Sequence, residues 1–335
     1  MISVSEALGL CLDLVSPLAG EDIGISDASG RVLAVSARTA RPQPPFRSAA
    51  MDGYAVRDSE VRIGATFTVV GESAAGHGWN HTLQAGQAVR IFTGAPVPEG
   101  ADHVVIQEDV VRDGDRITIQ PNLGDGPNIR PLGVDFDAGF ALDAPRRLRP
   151  AELALLAAMN IPEVTVSRRP TVAILATGDE LVMPGEEPGP DQIIVSNSFA
   201  IKALVEAEGA EARLLPIARD TEASLRAAFD LAEGADVIVT IGGASVGDHD
   251  VVARLAESMG LERSFYKLAM RPGKPLMAGR LRGAAMLGLP GNPVSAIVCA
   301  HLFLLPLVRA MLGDPAPQPR VQQAVLGSDV GATGP

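Results

Sequence analysis

From Arg169 onward, apolar runs of strand length alternate with amphipathic stretches of helix length, and this alternation constrains the fold more than any other feature of the chain. TVAILAT leads to the helical SNSFAIKALVEAE, closed by Gly209. ARLLPIA leads to TEASLRAAFDLAE, closed by Gly234, and ADVIVTI leads to a helix expected from Asp250 to Met259. A last long helix is expected from Pro293 to Leu312. Strands separated by helices of this length are joined by crossovers, so the pattern predicts a three-layer α/β domain at 169–312, with a mainly parallel sheet between two layers of helices. Ligands of such sheets bind beyond the carboxyl ends of the strands, where the strand-to-helix loops gather.

The first half of the chain reads differently. Ser3 and Glu6 form a capping box ahead of Val4, Ala7, Leu8, Cys11, Leu12 and Val15 at helical spacing, so a helix should run to about Pro17. Between Arg41 and Gly139, the short runs 66–70, 88–93, 103–107 and 116–119 alternate with Gly, Pro, Asn and Asp turns, the mark of an all-β insertion. Helical pattern returns at Pro150, well suited to a first helical position, and continues to Asn160. The expected division is a helical and extended stem at 1–40 and 138–168, a β-rich insertion at 41–137, the α/β domain at 169–312, and a linker at 313–335. That linker holds one weak strand, VQQAVLG, and reads as the start of a further β domain.

Composition narrows the function classes. A net charge of −12 over 335 residues argues against a broad nucleic-acid footprint, which needs clustered Lys and Arg. Any anion must therefore be held locally. The apolar stretch 294–308 is interrupted by His301 and Pro306 and falls short of the roughly 20 residues of a bilayer span, so no membrane partner is expected. The N-terminus lacks the basic start of a secretory signal. Cys11 and Cys299 both fall at apolar helical positions and read as buried thiols, with the cytoplasm as the expected compartment.

The loops after the strands carry the chemistry. TVAILAT runs into Gly178, Asp179 and Glu180. ADVIVTI runs into GGASVGDHD, in which Gly242, Gly243 and Gly247 permit close backbone approach to an anion, Ser245 offers a hydroxyl, and Asp248 and Asp250 follow. Carboxylates beside a phosphate cradle call for a bridging divalent cation, so the pair suggests phosphate with Mg²⁺. Alternatives stand beside each assignment: the glycines also suit a tight connection, and Asp220 and Asp250 also suit helix N-caps. Recurrence of acids after three strands favours the site. Lys267, Arg271 and Lys274 concentrate positive charge in YKLAMRPGKPLMAG and read as an oxyanion clamp, or else as a solvated basic turn. Asn292 and Ser295, in GLPGNPVSA, lie at a helix start that suits either an anion site or a plain strand-to-helix turn. In the β region, Asp52 in MDGYA, Thr93 in FTGAPVPEGAD and Asp135 in RPLGVDFDAG are polar groups at strand ends.

PPFRSAAMDGYAV, FTGAPVPEGADHVVIQE, RPAELALLAA, LATGDEL, GGASVGDHD, RPGKP and GLPGNPVSA, in this order and spacing, resemble the molybdenumtransferase family of MoeA and the gephyrin C-terminal region. The match covers nearly the whole chain. The resemblance implies insertion of molybdate into adenylylated molybdopterin with Mg²⁺-dependent release of AMP, by a homodimer whose cleft joins the α/β domain of one subunit to the MDGYA region of the other. Family acidic positions fall on Asp52, Asp135, Glu180, Asp220 and Asp250, and the polar position on Thr93. Glu180, Asp220 and Asp250 would hold the metal. Lys267, Arg271 and Lys274 would bind molybdate or the pterin phosphate, with Gly242, Gly243, Ser245 and Gly247 around the terminal phosphate and Asn292 and Ser295 nearby. A molybdopterin adenylyltransferase upstream and maturation proteins of molybdenum enzymes downstream are the implied partners.

Three departures are visible, the largest being the family's C-terminal β domain, of which only the start is expected here. Val134 stands where the family commonly has an acid before the aspartate, and Arg271 where it often has lysine. Competing readings keep the fold and change the chemistry to that of adenylyltransferases or CinA-type nucleotide hydrolases, or make the chain a scaffold or an inactive short form. The MDGYA and TGAPVPEGAD segments speak against the first two, and the retained acids and bases against the last.

Overall fold

Alternate residues of Thr171–Ala176 (β1) serve two different cores. Val172 and Ile174 are buried with Val205, Val239, Leu287 and Phe303, whereas Ala173 and Leu175 are buried with Leu225, Phe229, Ile238 and Ala256. A strand covered on both faces has no polar side to show, which is why β1 reads as an unbroken apolar run. In this computed structural model, which describes residues 1–243, 251–319 and 321–328, β1 lies inside a six-stranded sheet. The other strands are Glu211–Leu214 (β2), Val237–Ile241 (β3), Glu262–Tyr266 (β4), Met277–Leu281 (β5) and Ala284–Leu289 (β6), in spatial order β2-β1-β3-β6-β5-β4. β2, β1, β3 and β6 are parallel; β5 and β4 add an antiparallel edge.

The helices are Val4–Leu12 (α1), Pro150–Ala158 (α2), Asn197–Glu208 (α3), Glu222–Leu231 (α4), Val251–Ser258 (α5), Pro293–Cys299 (α6) and Leu305–Met311 (α7). α1, α3, α6 and α7 contribute to the first core, α4 and α5 to the second, giving the expected three layers. α1 begins as its sequence predicts, with the Ser3 hydroxyl accepting the Glu6 N–H at 3.2 Å. Its Ala7 and Cys11 are fully buried against the α/β core, so this helix packs with the sheet domain instead of forming a stem. Residues 1–40 and 138–168 otherwise supply more sheet than helix. Gly20–Gly24, Glu163–Ser167, Val32–Leu33 and Arg146–Arg147 form a four-stranded sheet.

Two compact units result: residues 1–36, 143–153 and 163–335, and residues 37–142 and 154–162. The second is built on a six-stranded sheet in the order His103–Ile106, Gly53–Val56, Gln87–Ile91, Thr66–Ser73, Arg116–Ile119, Val110–Asp113. One face buries Ala55, Val89, Ile91 and Val104, and the other Tyr54, Val56, Ala88, Val105 and Ile117.

The last helix is formed as expected: α6, a π-helical segment Ala300–Leu304 and α7 run on as one helix, Pro293–Met311, through His301 and Pro306. Proline lacks the N–H that would bond the carbonyl four residues back, and a wider turn just before it absorbs the mismatch. This 19-residue helix is long and apolar enough to cross a membrane, but most of it is buried inside the fold, where Phe303, Leu304, Leu307 and Val308 join the first core. The strand expected at 321–327 is not formed, and Val325 there is 98% exposed. A strand of that length needs a paired neighbour to satisfy its backbone.

Candidate functional site

Strand register places the expected loops at one edge of the α/β sheet. Leu175 pairs with Thr240, Thr240 with Gly288, Gly288 with Met277, and Met277 with Tyr266, so the loops leaving β1, β3, β6 and β4 all emerge on the same side. The loop after β2 joins them through the Thr177–Ala218 bridge and a hydrogen bond from the Gly178 N–H to the Ala218 carbonyl, at 3.1 Å. The antiparallel β4–β5 pair brings Lys267, Arg271 and Lys274 to this edge because β4 ends there and β5 starts there.

Asp179, Glu180 and Asp220 meet across the first two loops. The Asp220 N–H donates to Asp179 Oδ1 at 3.1 Å. Burial first, and then repulsion from Asp179 and Glu180, push the Asp220 carboxyl above the usual carboxylate range, although a hydrogen bond to that carboxyl from the Asp179 backbone opposes the shift. Asp220 is not the cap of α4: Thr221 is, its hydroxyl accepting the Ser224 N–H at 3.3 Å, so the Asp220 side chain is left for the cluster. Arg219, which sequence reasoning passed over, donates to the carbonyls of Asp179 at 2.8 Å and Leu181 at 3.1 Å. Only its position directly before Asp220 hinted at a role.

A cleft of about 150 Å³ at this edge is lined by Thr177, Glu180, Ser196, Asn197, Gly242, Gly291 and Pro293 together with Leu181, Ile193 and Ile241. Gly242 has φ +95°, and a Cβ there would lie 2.6 Å from the Thr177 carbonyl oxygen; at Gly243 it would lie 2.9 Å from Thr177 Oγ1. Only glycine fits this approach. Thr177 Oγ1 is buried and has no hydrogen-bond partner. Ser245, Gly247 and Asp250 lie outside the described residues.

The basic loop is closed by hydrogen bonds from the Lys267 N–H to the Leu276 carbonyl at 3.0 Å and from the Leu268 N–H to the Lys274 carbonyl at 2.9 Å. Lys267, half-buried with φ +76°, sets its Nζ 4.9 Å from the centre of the Tyr266 ring. Among the described residues no carboxylate pairs with Lys267, Arg271 or Lys274. Asn292 and Ser295 are engaged in the turn itself. Asn292 Oδ1 accepts the Ser295 N–H at 3.1 Å and lies 3.2 Å from its hydroxyl, and Asn197 Nδ2 ties the same turn by donating to the Gly291 carbonyl at 2.8 Å.

The β unit gathers the remaining residues by itself. Asp52 Oδ1 accepts both the N–H and the hydroxyl of Thr93, each at 2.7 Å. These two bonds, with a smaller contribution from Arg90, hold the exposed Asp52 carboxyl below its usual range against a slight opposing effect of burial. Asp135 pairs with Arg130 at 2.9 Å, and Thr93, Arg130 and Asp135 line a cavity of about 300 Å³ with Gln43, Pro44 and Phe46. Arg130 was not anticipated; the RPLGVD spacing, which returns the aspartate beside the arginine across a turn, was its signal.

Two family descriptions account for most of the chain: the MoeA N-terminal region (domain I and II) matches residues 2–160, and a probable molybdopterin binding domain matches residues 173–310. The chain belongs to the MoeA family. Molybdopterin molybdenumtransferases of Nostoc sp. and Haemophilus influenzae are each 38% identical to it, over 93% and 94% of this chain and 75% and 78% of their own lengths. The Mycobacterium tuberculosis molybdopterin molybdenumtransferase 2 is 37% identical over 96% of this chain and 81% of its own. A molybdopterin biosynthesis MoeA protein of Pyrococcus horikoshii superposes with a TM-score of 0.82 at 33% identity, covering 93% of this chain and 80% of that one. This MoeA chain therefore has the α/β architecture with an inserted β-rich unit that its sequence predicts.

Proposed function

We propose that this chain is a molybdopterin molybdenumtransferase acting in molybdenum cofactor biosynthesis: it takes adenylylated molybdopterin and molybdate and releases AMP. The observation that carries the reading is the convergence, at one sheet edge, of Glu180 and Asp220 with the Gly242–Gly243 approach and the basic loop of Lys267, Arg271 and Lys274. Like-charged acids beside a glycine-lined cleft suit a cation bridging carboxylate and pyrophosphate.

Magnesium fits this donor set by its chemistry. It takes hard oxygen ligands, and it usually binds through one or two carboxylates with substrate phosphate and water completing the shell. Among the described residues no group of three or more His, Cys, Asp or Glu is placed to hold a metal. Glu180, Asp220 and Asp250 would hold it, and when bound it would act as a Lewis acid on the pyrophosphate. Gly242 and Gly243 would let backbone N–H groups approach the terminal phosphate. Lys267, Arg271 and Lys274 would bind molybdate and the negative charge that develops on the transferred oxygens. Water attacking the adenylyl phosphorus would break the P–O–P link and release AMP and the pterin phosphate; a molybdate oxygen attacking there would give an adenylyl-molybdate, whose hydrolysis by water then releases AMP. No side chain need act as nucleophile, so positioning and charge supply the rate.

We also propose a homodimeric, cytoplasmic form in which the Asp52, Thr93 and Asp135 group of one subunit serves the α/β edge of its partner. The family resemblance and the self-contained geometry of that group support this. The testing experiment is substitution: Glu180→Gln, Asp220→Asn and Asp250→Ala should each abolish Mg²⁺-dependent AMP release and leave pterin binding largely intact. Undiminished turnover in these variants would defeat the reading.

A further inference from the structure

The loops after β1 and β2 present like charges to each other, and repulsion between Asp220 and the pair Asp179 and Glu180 drives them apart. Among the described residues, backbone-to-backbone hydrogen bonds join the loops at their roots, around Thr177, Gly178 and Ala218. Farther out, Arg219 spans the gap. Its Nη1 donates to the carbonyls of Asp179 at 2.8 Å and Leu181 at 3.1 Å and reaches that of Gly178 at 3.4 Å, so it grips both sides of Glu180. Its own N–H donates to Ser224 Oγ at 3.0 Å, fixing its backbone to the first turn of α4. The next residue, Asp220, completes the tie through its N–H to Asp179 Oδ1. A guanidinium suits this work because it stays charged and presents several donors in a rigid plane.

We infer that Arg219 is a positioning residue for the transfer reaction: by holding residues 178–181 against the loop after β2, it sets the separation at which Glu180 and Asp220 meet the metal-bound pyrophosphate. The inference rests on the proposed function. Arg219 acts through the two acids, so its loss weakens the grip on the cation while leaving the reacting groups in place. Groups that orient metal ligands commonly cost about 10–100-fold in metal affinity or activity when removed.

The test uses the full chain with Arg219→Ala, Arg219→Lys and Arg219→Gln. AMP release is titrated with Mg²⁺, and binding of Mn²⁺ alone is followed by electron paramagnetic resonance. The expected result is a roughly 10–100-fold higher Mg²⁺ requirement and a parallel loss of Mn²⁺ affinity in Arg219→Ala. Turnover should be largely recovered at saturating Mg²⁺, because enough cation offsets the same repulsion, and Arg219→Lys should fall between Arg219→Ala and the parent. Arg226→Ala, on the exposed face of α4, should match the parent. An unchanged Mg²⁺ requirement, or a rate that no Mg²⁺ concentration restores in folded protein, overturns the inference. So does failure of all three variants to fold, which would make Arg219 a structural staple. Asp220→Asn separates the two levels: if it turns over normally, the functional reading itself fails. Loss of activity there beside an unaffected Arg219→Ala removes only the role of Arg219.

Discussion

Asp179 accepts the backbone N–H of Asp220 through Oδ1, and the side chain of Asp220 is left facing a second acid, Glu180. One carboxylate of the cluster is thus committed to holding the loop, and two remain for chemistry. The arrangement stores repulsion in the free chain that a cation relieves. Mg²⁺ with a pyrophosphate ligand should therefore raise the thermal unfolding midpoint of the parent more than that of Asp220→Asn. Equal shifts in the two proteins would argue that the cation binds elsewhere.

The Gly242 approach is the steric counterpart of that cluster. Gly242→Ala places a Cβ against the Thr177 carbonyl, which is backbone and cannot yield, in a left-handed conformation unfavourable to alanine. A cost of about 1–3 kcal/mol in stability is expected, with a larger loss in affinity for the pterin phosphate. Thermal melts and equilibrium binding would show both. Normal binding by Gly242→Ala would mean that no phosphate approaches there.

In the β unit, Thr93→Val removes the hydroxyl and leaves the N–H bond to Asp52, whereas Thr93→Ser keeps both. AMP release should fall strongly in the first variant and little in the second. If Asp52 serves a neighbouring subunit, mixing inactive Asp52→Ala and Asp250→Ala proteins restores part of the activity through mixed dimers. No recovery under proven subunit exchange would contradict the shared site.

The opposite edge of the α/β sheet predicts a pH effect on stability. Burial pushes the Asp236 carboxyl upward, but the Arg168 guanidinium, at 2.6 and 2.8 Å, and the Thr171 N–H, at 2.8 Å, outweigh it and hold the group below its ordinary value. A lowered folded value means that the unfolded chain binds the proton first. The contribution is complete above the unfolded carboxylate value of about 3.9 and disappears as pH falls through the folded one. Arg168 is 40% exposed, so solvent screening limits the pair, and Asp236→Asn should cost roughly 1–2 kcal/mol at neutral pH and almost nothing in strong acid. Urea melts across pH 2–7 would check the convergence of the two proteins; a constant gap would contradict it.

The turn before α6 gives a test of a purely local assignment. Asn292 is the N-cap, so Asn292→Ala should lower stability by about 1 kcal/mol. Asn292→Asp should retain it, since the aspartate oxygen accepts the same Ser295 N–H. A calorimetric melt distinguishes them, and an unaffected Asn292→Ala would deny the cap its energetic part.

The alternation of β1, α3, β2, α4 and β3 was readable because buried strands and amphipathic helices each leave a periodic trace, and Gly209 and Gly234 mark the helix ends. The acids after those strands were readable for the same reason, since a parallel sheet fixes which ends meet. The β4–β5 pair was not: a chain direction leaves no mark in a short apolar run, and only its reversal brings Lys267 and Lys274 to the same edge as Gly242. Asp220 also suited a helix cap on sequence, and the structure gives that place to Thr221. Asn292 and Ser295 went the other way, toward local structure. Arg219 left no trace beyond its place before Asp220, because a side chain bonded to distant carbonyls has no sequence period. The helix expected from Pro293 to Leu312 runs through Pro306 because the turn before it widens.

The most direct test of the account is AMP release from adenylylated molybdopterin by the purified chain in Mg²⁺, with and without molybdate. Release that depends on both Mg²⁺ and molybdate, with molybdenum recovered on the pterin, is the predicted result. Tight binding of the adenylylated pterin with no AMP released under any molybdate concentration would contradict it.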